Sequence, residues 1–549
     1  MKAALRITKD DYCWLFGGFG FHNSEATMTG IMSARLKNEF VLKSFREISP
    51  TFSRVFAGFV NWTKEAMDAF ADYYDETFRR SGTTLYIVPG RMPYMSLSFD
   101  AHAYAEKVAE NLEYLVKVRA CKHIRYYCVT NEMSVGNTYC YFSRHLDEFK
   151  RLHEELYDAF VRHGLDIGLL ATDTSGFTTA HTLDWAMENM DEITEAYCWH
   201  NYQLVTPEGE KLYVGDPQIY PRLLNTYGEL VQNTLKKEKR FILGEFGIQN
   251  PAMFRAKAMR NDVCSGFNDE KEAALTALTL AEEEMAALNA GIQSAAYWTF
   301  MDYPDPFFRE DGDSPEEKSR YDCARFSGHG LSIRYNKWGL FRWDDEKGDY
   351  SARASLYTLG PIARYFRKGS RVLTCESGSD SLFCGAVCCR DGGVSVCIIN
   401  HADEVCDVEI DCALGTDKPY RCFSFDTANV PYNPFNDLQP FTVLTGNRVS
   451  VPAMGMVLLT TDYTDRVPSP IENVRIEDGV LSWDPCADAE HCYYRVFADG
   501  CQIASTVGTS LARDKLPAGE YSVVSVDEWG NTGSVCGKSR KPSFMEEWV

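Results

Sequence analysis

Eight times between residue 12 and about residue 365 the chain repeats one alternation: a short apolar run rich in β-branched and aromatic residues, then a longer segment with helical periodicity. This repetition constrains the fold more than any other feature, because parallel strands need crossover connections and a helix is the usual crossover. The runs are YCWLFGGF (12–19), TFSRVFAGF (51–59), TTLYIVP (83–89), HIRYYCVT (123–130), DIGLLAT (166–172), ITEAYCWH (193–200), RFILGE (240–245) and IQSAAYWTF (292–300). After the fourth, Leu146, Phe149, Leu152, Leu156 and Phe160 recur every three or four residues until His163-Gly164 supplies a stop. Eight βα units in roughly 350 residues predict an α/β fold of the (β/α)8 TIM barrel type with enlarged loops over residues 1–366. An open doubly wound sheet would carry a dinucleotide fingerprint, and Gly17, Gly18 and Gly20 lack the third glycine and the helix start that phosphate cradling requires. These glycines read as a tight bend from strand to loop.

Beyond residue 366 the pattern changes to short alternating strands separated by turn residues: RVLTCESGS, SLFCGAVCC, GVSVCIIN, CDVEIDC, PYRCFSF, FTVLTG, RVSVPA and MVLLTT. They predict an all-β sandwich over 367–464. After the Pro-containing linker TDYTDRVPSP, residues 468–541 hold further short strands, with Trp483 and Tyr494 placed for a core and Tyr521 late in the module. That segment resembles a fibronectin type III-like domain, of Ig-like sandwich architecture.

The charge balance narrows the partners. With 56 Lys+Arg against 78 Asp+Glu the net charge is −22, so a phosphate backbone or an anionic membrane would be repelled, and the sequence shows no basic patch. No nucleic-acid or membrane partner is expected, and a second copy of the chain is the one protein partner left open. No run of 18 apolar residues occurs, and Lys9-Asp10-Asp11 interrupts the start where a signal peptide needs an apolar core, so the expected location is cytoplasmic. The 19 cysteines, odd in number and in a long chain, are then expected to be reduced thiols. Cys384, Cys388, Cys389 and Cys397 contain no CxxC pair and lie in strand-like sequence, so no structural metal is expected there.

In a (β/α)8 barrel the functional residues gather at the C-terminal ends of the strands. Two carboxylates stand there: Glu132, after Asn131 at the end of the fourth run, and Glu245, closing the seventh. Strands four and seven lie on different sides of the ring, so the two face each other across one mouth. Retaining glycoside hydrolysis needs such a pair about 5–5.5 Å apart, one to protonate the leaving oxygen and one to attack the anomeric carbon. His22 and Asn23, past the first run, offer donors and acceptors for a non-reducing-end sugar. Trp14, Phe19, Trp62, Tyr94 and Trp199 are further aromatic candidates for stacking on a sugar ring, and the acidic loop 301–322 reads as a solvated lid over the mouth.

These residues resemble those of the clan A glycoside hydrolases over roughly residues 12–365. The resemblance implies Glu132 as acid/base, Asn131 as a contact to the sugar 2-hydroxyl and Glu245 as nucleophile. It also implies Arg54 as a brace keeping Glu245 ionised, His200 and Tyr202 as the strand-six His-x-Tyr pair, and Trp298 as the sugar platform. Met133 departs from the Pro that many members carry after the Glu. The implied activity is retaining hydrolysis, exo-acting on short β-linked oligosaccharides or small glycosides, with no cofactor and no metal. A transglycosylase using the same intermediate, or a non-catalytic carbohydrate-binding barrel, are the alternatives.

Overall fold

The computed structural model describes residues 1–8, 15–23, 26, 33–57, 62–89, 100–133, 142–175, 180–202, 214–248, 270–307, 332–336, 339–344, 349–414, 418–488, 490–512, 516–535 and 537–541. The first strand, β1 (Lys2–Thr8), is followed by eight barrel strands: β2 (Gly18–His22), β3 (Phe52–Phe56), β4 (Thr84–Val88), β5 (Ile124–Cys128), β6 (Gly168–Ser175), β7 (Ala196–Asn201), β8 (Arg240–Phe246) and β9 (Ser294–Tyr297). Each pairs in parallel with the next, and β9 returns to β2, so the barrel is closed. The fold is the predicted (β/α)8 barrel followed by all-β structure.

The barrel interior is a compact cluster that includes Phe52, Tyr86, Val88, Tyr126, Cys128, Leu170, Cys198 and Ile242. A second, larger core lies between the strands and the surrounding helices. The helix Leu146–Arg162 shows the logic: Phe149, Leu152, Leu156 and Phe160 are buried along one stripe, as their spacing predicts. Thr63 and Asp100 begin two others by accepting the backbone N–H of Ala66 (3.3 Å) and Ala103 (3.1 Å).

The start of the barrel corrects the sequence reading. The first barrel strand begins at Gly18, whose φ of 106° turns the chain into β2, so Gly18 and Gly20 belong to the strand, with Gly17 just before it, and not to a bend beyond it. A Cβ on Gly20 would fall 1.7 Å from the Phe52 carbonyl oxygen, and only glycine lets β2 approach β3 this closely.

β1 is a second difference, because it lies outside the barrel. It pairs in parallel with the strand Cys406–Cys412 and antiparallel with Arg371–Ser377, inside a nine-stranded sheet otherwise built from residues 371–460. The cause is its alternation: Leu5 and Ile7 point into the core of that sheet while their neighbours face outward. Residues 475–541 form two further sheets, of three and four strands. Trp483 and Tyr494 meet in their core at 5.5 Å, and the buried Tyr521 donates its hydroxyl to the Pro517 carbonyl. Of the acidic loop, Tyr303–Phe307 pairs with Ser332–Asn336; residues 308–331 lie outside the described residues, as do Trp14 and Tyr94.

A buried ionic cluster joins the three parts of the chain. Lys43 and Glu47, on the helix Leu42–Ile48, meet Asp437 from the nine-stranded region and Arg495 and Tyr493 from the last module. The described cysteines are free thiols.

Candidate active site

Irregular pairing at the C-terminal rim builds the site. Thr172 pairs with Cys198 and Thr174 with Trp199, so Asp173 is an extra residue on β6. On the other side of β7, Trp199 pairs with Leu243 and His200 with Glu245, so Gly244 is an extra residue on β8. Bulges of this kind re-aim side chains, and these two turn Asp173 and Glu245 toward His200. Gly244 has to be glycine, since a Cβ there would lie 2.5 Å from Cys198 Sγ, 3.0 Å from Asp173 Oδ1 and 3.1 Å from His200 Nε2. Glu132 (φ 45°) and Asp173 (φ 57°) both hold left-handed backbone, a strained conformation that clusters at functional sites.

Arg54 on β3 is the hub. Its Nη1 donates to Glu245 Oε1, its Nη2 to Asn131 Oδ1 (2.6 Å) and to Asp173 Oδ2 (2.7 Å), and His22 Nδ1 lies 3.2 Å from Nη1. His200 is a second hub, with Nε2 2.8 Å from Asp173 Oδ1 and Nδ1 3.1 Å from Glu132 Oε1 and 3.5 Å from Glu245 Oε2. Tyr202 donates its hydroxyl to Glu245 Oε2. Ligand-type atoms of Glu132, His200 and Glu245 all fall within 4.8 Å of one another, which places the two carboxylates at facing distance.

Burial and charge set the protonation states. Burial alone would neutralise His200, but the charges of Asp173 and Glu245 and the hydrogen bonds that the ring donates to Asp173 and Glu132 outweigh it and hold the ring at about 10, an imidazolium. His22 is the opposite case: burial, then repulsion from Arg54 and His200, pushes it well below 6.5 and leaves it neutral. Glu245 is held between opposing influences. Arg54 and His200 pull its carboxyl down, but burial pushes harder and Glu132 adds to the push, so it sits above the ordinary carboxylate range. Asp173, buried but facing both cations, stays well below that range.

The two glutamates, the polar residues predicted to contact the sugar, and Trp298 are all at this rim. Arg54, Asn131, Glu132, His200, Tyr202 and Glu245 form one hydrogen-bonded group. Trp298 and His22 pack beside it with ring centres 4.3 Å apart, and Phe56 lies 5.3 Å from Trp298. Asn23 is buried one residue on and accepts from Ser53 Oγ. The other described aromatic candidates are elsewhere: Phe19 and Trp199 are in the core outside the strands, and Trp62 packs on Phe70. Asp173 was not anticipated. The fifth run as read stops at Thr172, yet the polar stretch Thr172-Asp173-Thr174-Ser175 continues a buried strand, and an acidic residue inside such a strand was the available signal.

Asp173, Cys198 and His200 also bring oxygen, sulfur and nitrogen within 4.8 Å of one another, a spacing a metal ion can bridge. The Arg54 guanidinium already supplies the positive charge beside Asp173.

No known family profile matches this sequence, and no curated protein does. Solved structures do match. A bacterial orthologue of human α-L-iduronidase shares 12% identity at a TM-score of 0.56, over 98% of this chain and 100% of that one. The catalytic domain of the GH30 xylanase C of Talaromyces cellulolyticus shares 14% at 0.54, over 83% and 99%. The GH51 arabinofuranosidase of Xanthomonas axonopodis pv. citri shares 13% at 0.53, over 84% and 100%. At these identities the likeness is one of fold alone. Among the described residues no helix is long and apolar enough to cross a membrane.

Proposed function

We propose that the chain is a retaining glycoside hydrolase working by double displacement, with Glu245 as nucleophile and Glu132 as acid/base. The observation that carries this reading is the facing pair itself, with oxygens within 4.8 Å at the carboxyl rim of the barrel. An inverting enzyme needs roughly 6.5–9.5 Å between its carboxyl groups to admit a water. Glu245 attacks the anomeric carbon while Glu132 protonates the leaving oxygen; Glu132 then takes a proton from the water that releases the sugar. Arg54 and Tyr202 hold the nucleophile's two oxygens in place. Asn131, His22, Asn23 and Trp298 bind the glycone.

The Glu132 side chain is 17% exposed and that of Glu245 only 4%, so the nucleophile lies deep and the acid/base nearer the mouth. This supports a glycone that enters end-on and an aglycone that leaves toward solvent, as in exo-action on short β-linked oligosaccharides or small glycosides. The reading needs no cofactor. A cytoplasmic location fits the free thiols of the described cysteines.

A screen of nitrophenyl β-glucoside, β-galactoside, β-xyloside, α-arabinofuranoside and β-glucuronide identifies the sugar. NMR of the first product then gives the stereochemistry, expected to be the retained anomer. The inverted anomer overturns the mechanism, and binding without turnover on any glycoside supports a silent carbohydrate-binding barrel. Transfer to an added acceptor in place of water identifies a transglycosylase.

A further inference from the structure

We propose that Asp173 is a positioning residue for this site, fixing Arg54 and His200 as a pair of cations against Glu245 and Glu132; the proposal rests on the glycosidase reading above. Asp173 is the bulge residue of β6, and the residues on either side of it turn away. Thr172 and Thr174 join their hydroxyls to each other, and Thr174 continues to Thr182 at 3.0 Å. The Asp173 carboxylate is fully buried and both oxygens are engaged. Oδ2 accepts from Arg54 Nη2 at 2.7 Å; Oδ1 accepts from His200 Nε2 at 2.8 Å and from Cys198 Sγ at 3.1 Å. Its influence on the two glutamates passes through these cations, since Arg54 Nη1 donates to Glu245 and His200 Nδ1 lies between Glu132 and Glu245. The glycine at 244 keeps open the space where the three side chains meet.

Hydrogen-bond chemistry explains why a carboxylate is needed. A neutral imidazole donates from one nitrogen only, so a ring donating to Asp173 from Nε2 would turn a bare acceptor toward Glu132 and Glu245. With the full negative charge of the Asp173 carboxylate facing Nε2, both nitrogens keep their protons, and Nδ1–H is directed at the glutamates. The groups facing His200 are Asp173 from β6, Glu132 from the loop after β5, Glu245 from β8, Arg54 from β3 and His22 from β2, with Cys198 on its own strand and Tyr202 just past it. Of these, Asp173 contributes most to holding the ring charged. An amide at 173 would keep the shape and lose that charge, and Glu245 would then face a neutral ring.

The test is NMR of full-length protein labelled with ¹⁵N-histidine. In the wild type, His200 is expected to remain imidazolium to about pH 9, and in Asp173→Asn its midpoint is expected to fall by about two units or more. In that variant kcat is expected to drop about 100-fold with little change in KM, because residue 173 does not touch substrate. The acid limb of kcat/KM is expected to move up by about one pH unit, since Glu245 loses a neighbouring cation and takes a proton more readily. A wild-type ring that neutralises near its ordinary value overturns the proposal. So does an Asp173→Asn protein whose ring titration and acid limb stay in place while activity falls only with the folded fraction. If Asp173→Asn fails to fold, the wild-type titration decides alone. That titration reads the same whether or not the chain cleaves glycosides, so failure of the glycosidase reading is seen separately.

Discussion

The molecule buries two ionic clusters, one where its three parts meet and one at the barrel rim, and they differ in a single charge. At the junction two cations, Lys43 and Arg495, face two carboxylates, Glu47 and Asp437. Lys43 Nζ is 2.8 Å from Glu47 and 2.5 Å from Asp437, and Arg495 Nε is 3.2 Å from Asp437. Tyr493 adds a hydroxyl to Glu47 at 2.8 Å, and Gln502 a donor to Asp437 at 3.0 Å. At the rim two cations, Arg54 and His200, face three carboxylates. The carboxylic acids register the difference. Burial pushes Asp437 up, but Lys43 and Arg495 more than offset it, and it stays below its ordinary range; for Glu245 burial wins. A balanced cluster has no use for a proton and serves to hold parts together. A cluster with one carboxylate in excess is suited to exchanging protons, as the proposed acid–base chemistry requires.

The largest effect that tests this contrast is loss of Glu245, the proposed nucleophile. Glu245→Ala is expected to lower kcat on the order of 10⁵-fold on every substrate, because no covalent intermediate can form, and azide is expected to restore turnover with the glycosyl azide of inverted configuration. Near-normal activity in this variant would show that the rim cluster is not catalytic.

Glu132→Ala ranks next. A loss of about 10²–10⁴-fold is expected on glycosides with poor leaving groups. With an activated leaving group glycosylation survives and deglycosylation stalls, so kcat and KM fall together and the sugar accumulates on Glu245, where mass spectrometry finds it. Azide needs no base and is expected to give the azide of retained configuration. Opposite stereochemistry in the two variants would exchange the roles of the glutamates.

The junction is expected to respond in stability alone. Lys43→Met leaves Glu47 and Asp437 buried with too little positive charge, a change that costs about 3–5 kcal/mol. Denaturant unfolding is expected to show that loss while kcat and KM of the remaining folded protein are unchanged. A parallel loss of kcat per folded molecule would mean that the two clusters are coupled and the division drawn here is wrong.

What the sequence made legible follows from how each feature is encoded. The barrel was readable because its signal is local and repeated: every strand is a short apolar run followed by a periodic helix. Glu132 and Glu245 were readable as rim residues because one follows such a run by two residues and the other closes one. β1 was not, because one short alternating segment does not say which sheet it joins, and its partners lie some 370–400 residues away. Asp173 was hidden by the bulge on β6, since one extra residue breaks the period of two that tells inward from outward. The junction cluster was hidden for the first reason again: Lys43, Asp437 and Arg495 meet only through tertiary packing.

The smallest expected effect separates the clusters by sign. Glu245→Gln removes a charge from a site that carries one carboxylate too many, whereas Lys43→Met removes one from a site in balance. The amide keeps the shape: its oxygen can accept from Arg54, and the Tyr202 hydroxyl can turn to accept from its nitrogen. Because burial raises the folded-state pKa of Glu245 above its unfolded value, keeping the carboxylate ionised costs stability at pH above that raised pKa. The cost shrinks as pH falls through that value and is gone below the unfolded value, where the carboxyl is protonated in both states. Glu245→Gln is therefore expected to raise Tm by about 1–2 °C at pH 8, with the advantage fading toward pH 4 as wild-type Glu245 takes up its own proton. Scanning calorimetry of both proteins across that range measures it. A Tm that falls at pH 8, as for Lys43→Met, would show that the ionised Glu245 carboxylate stabilises the fold and that the rim cluster is balanced after all.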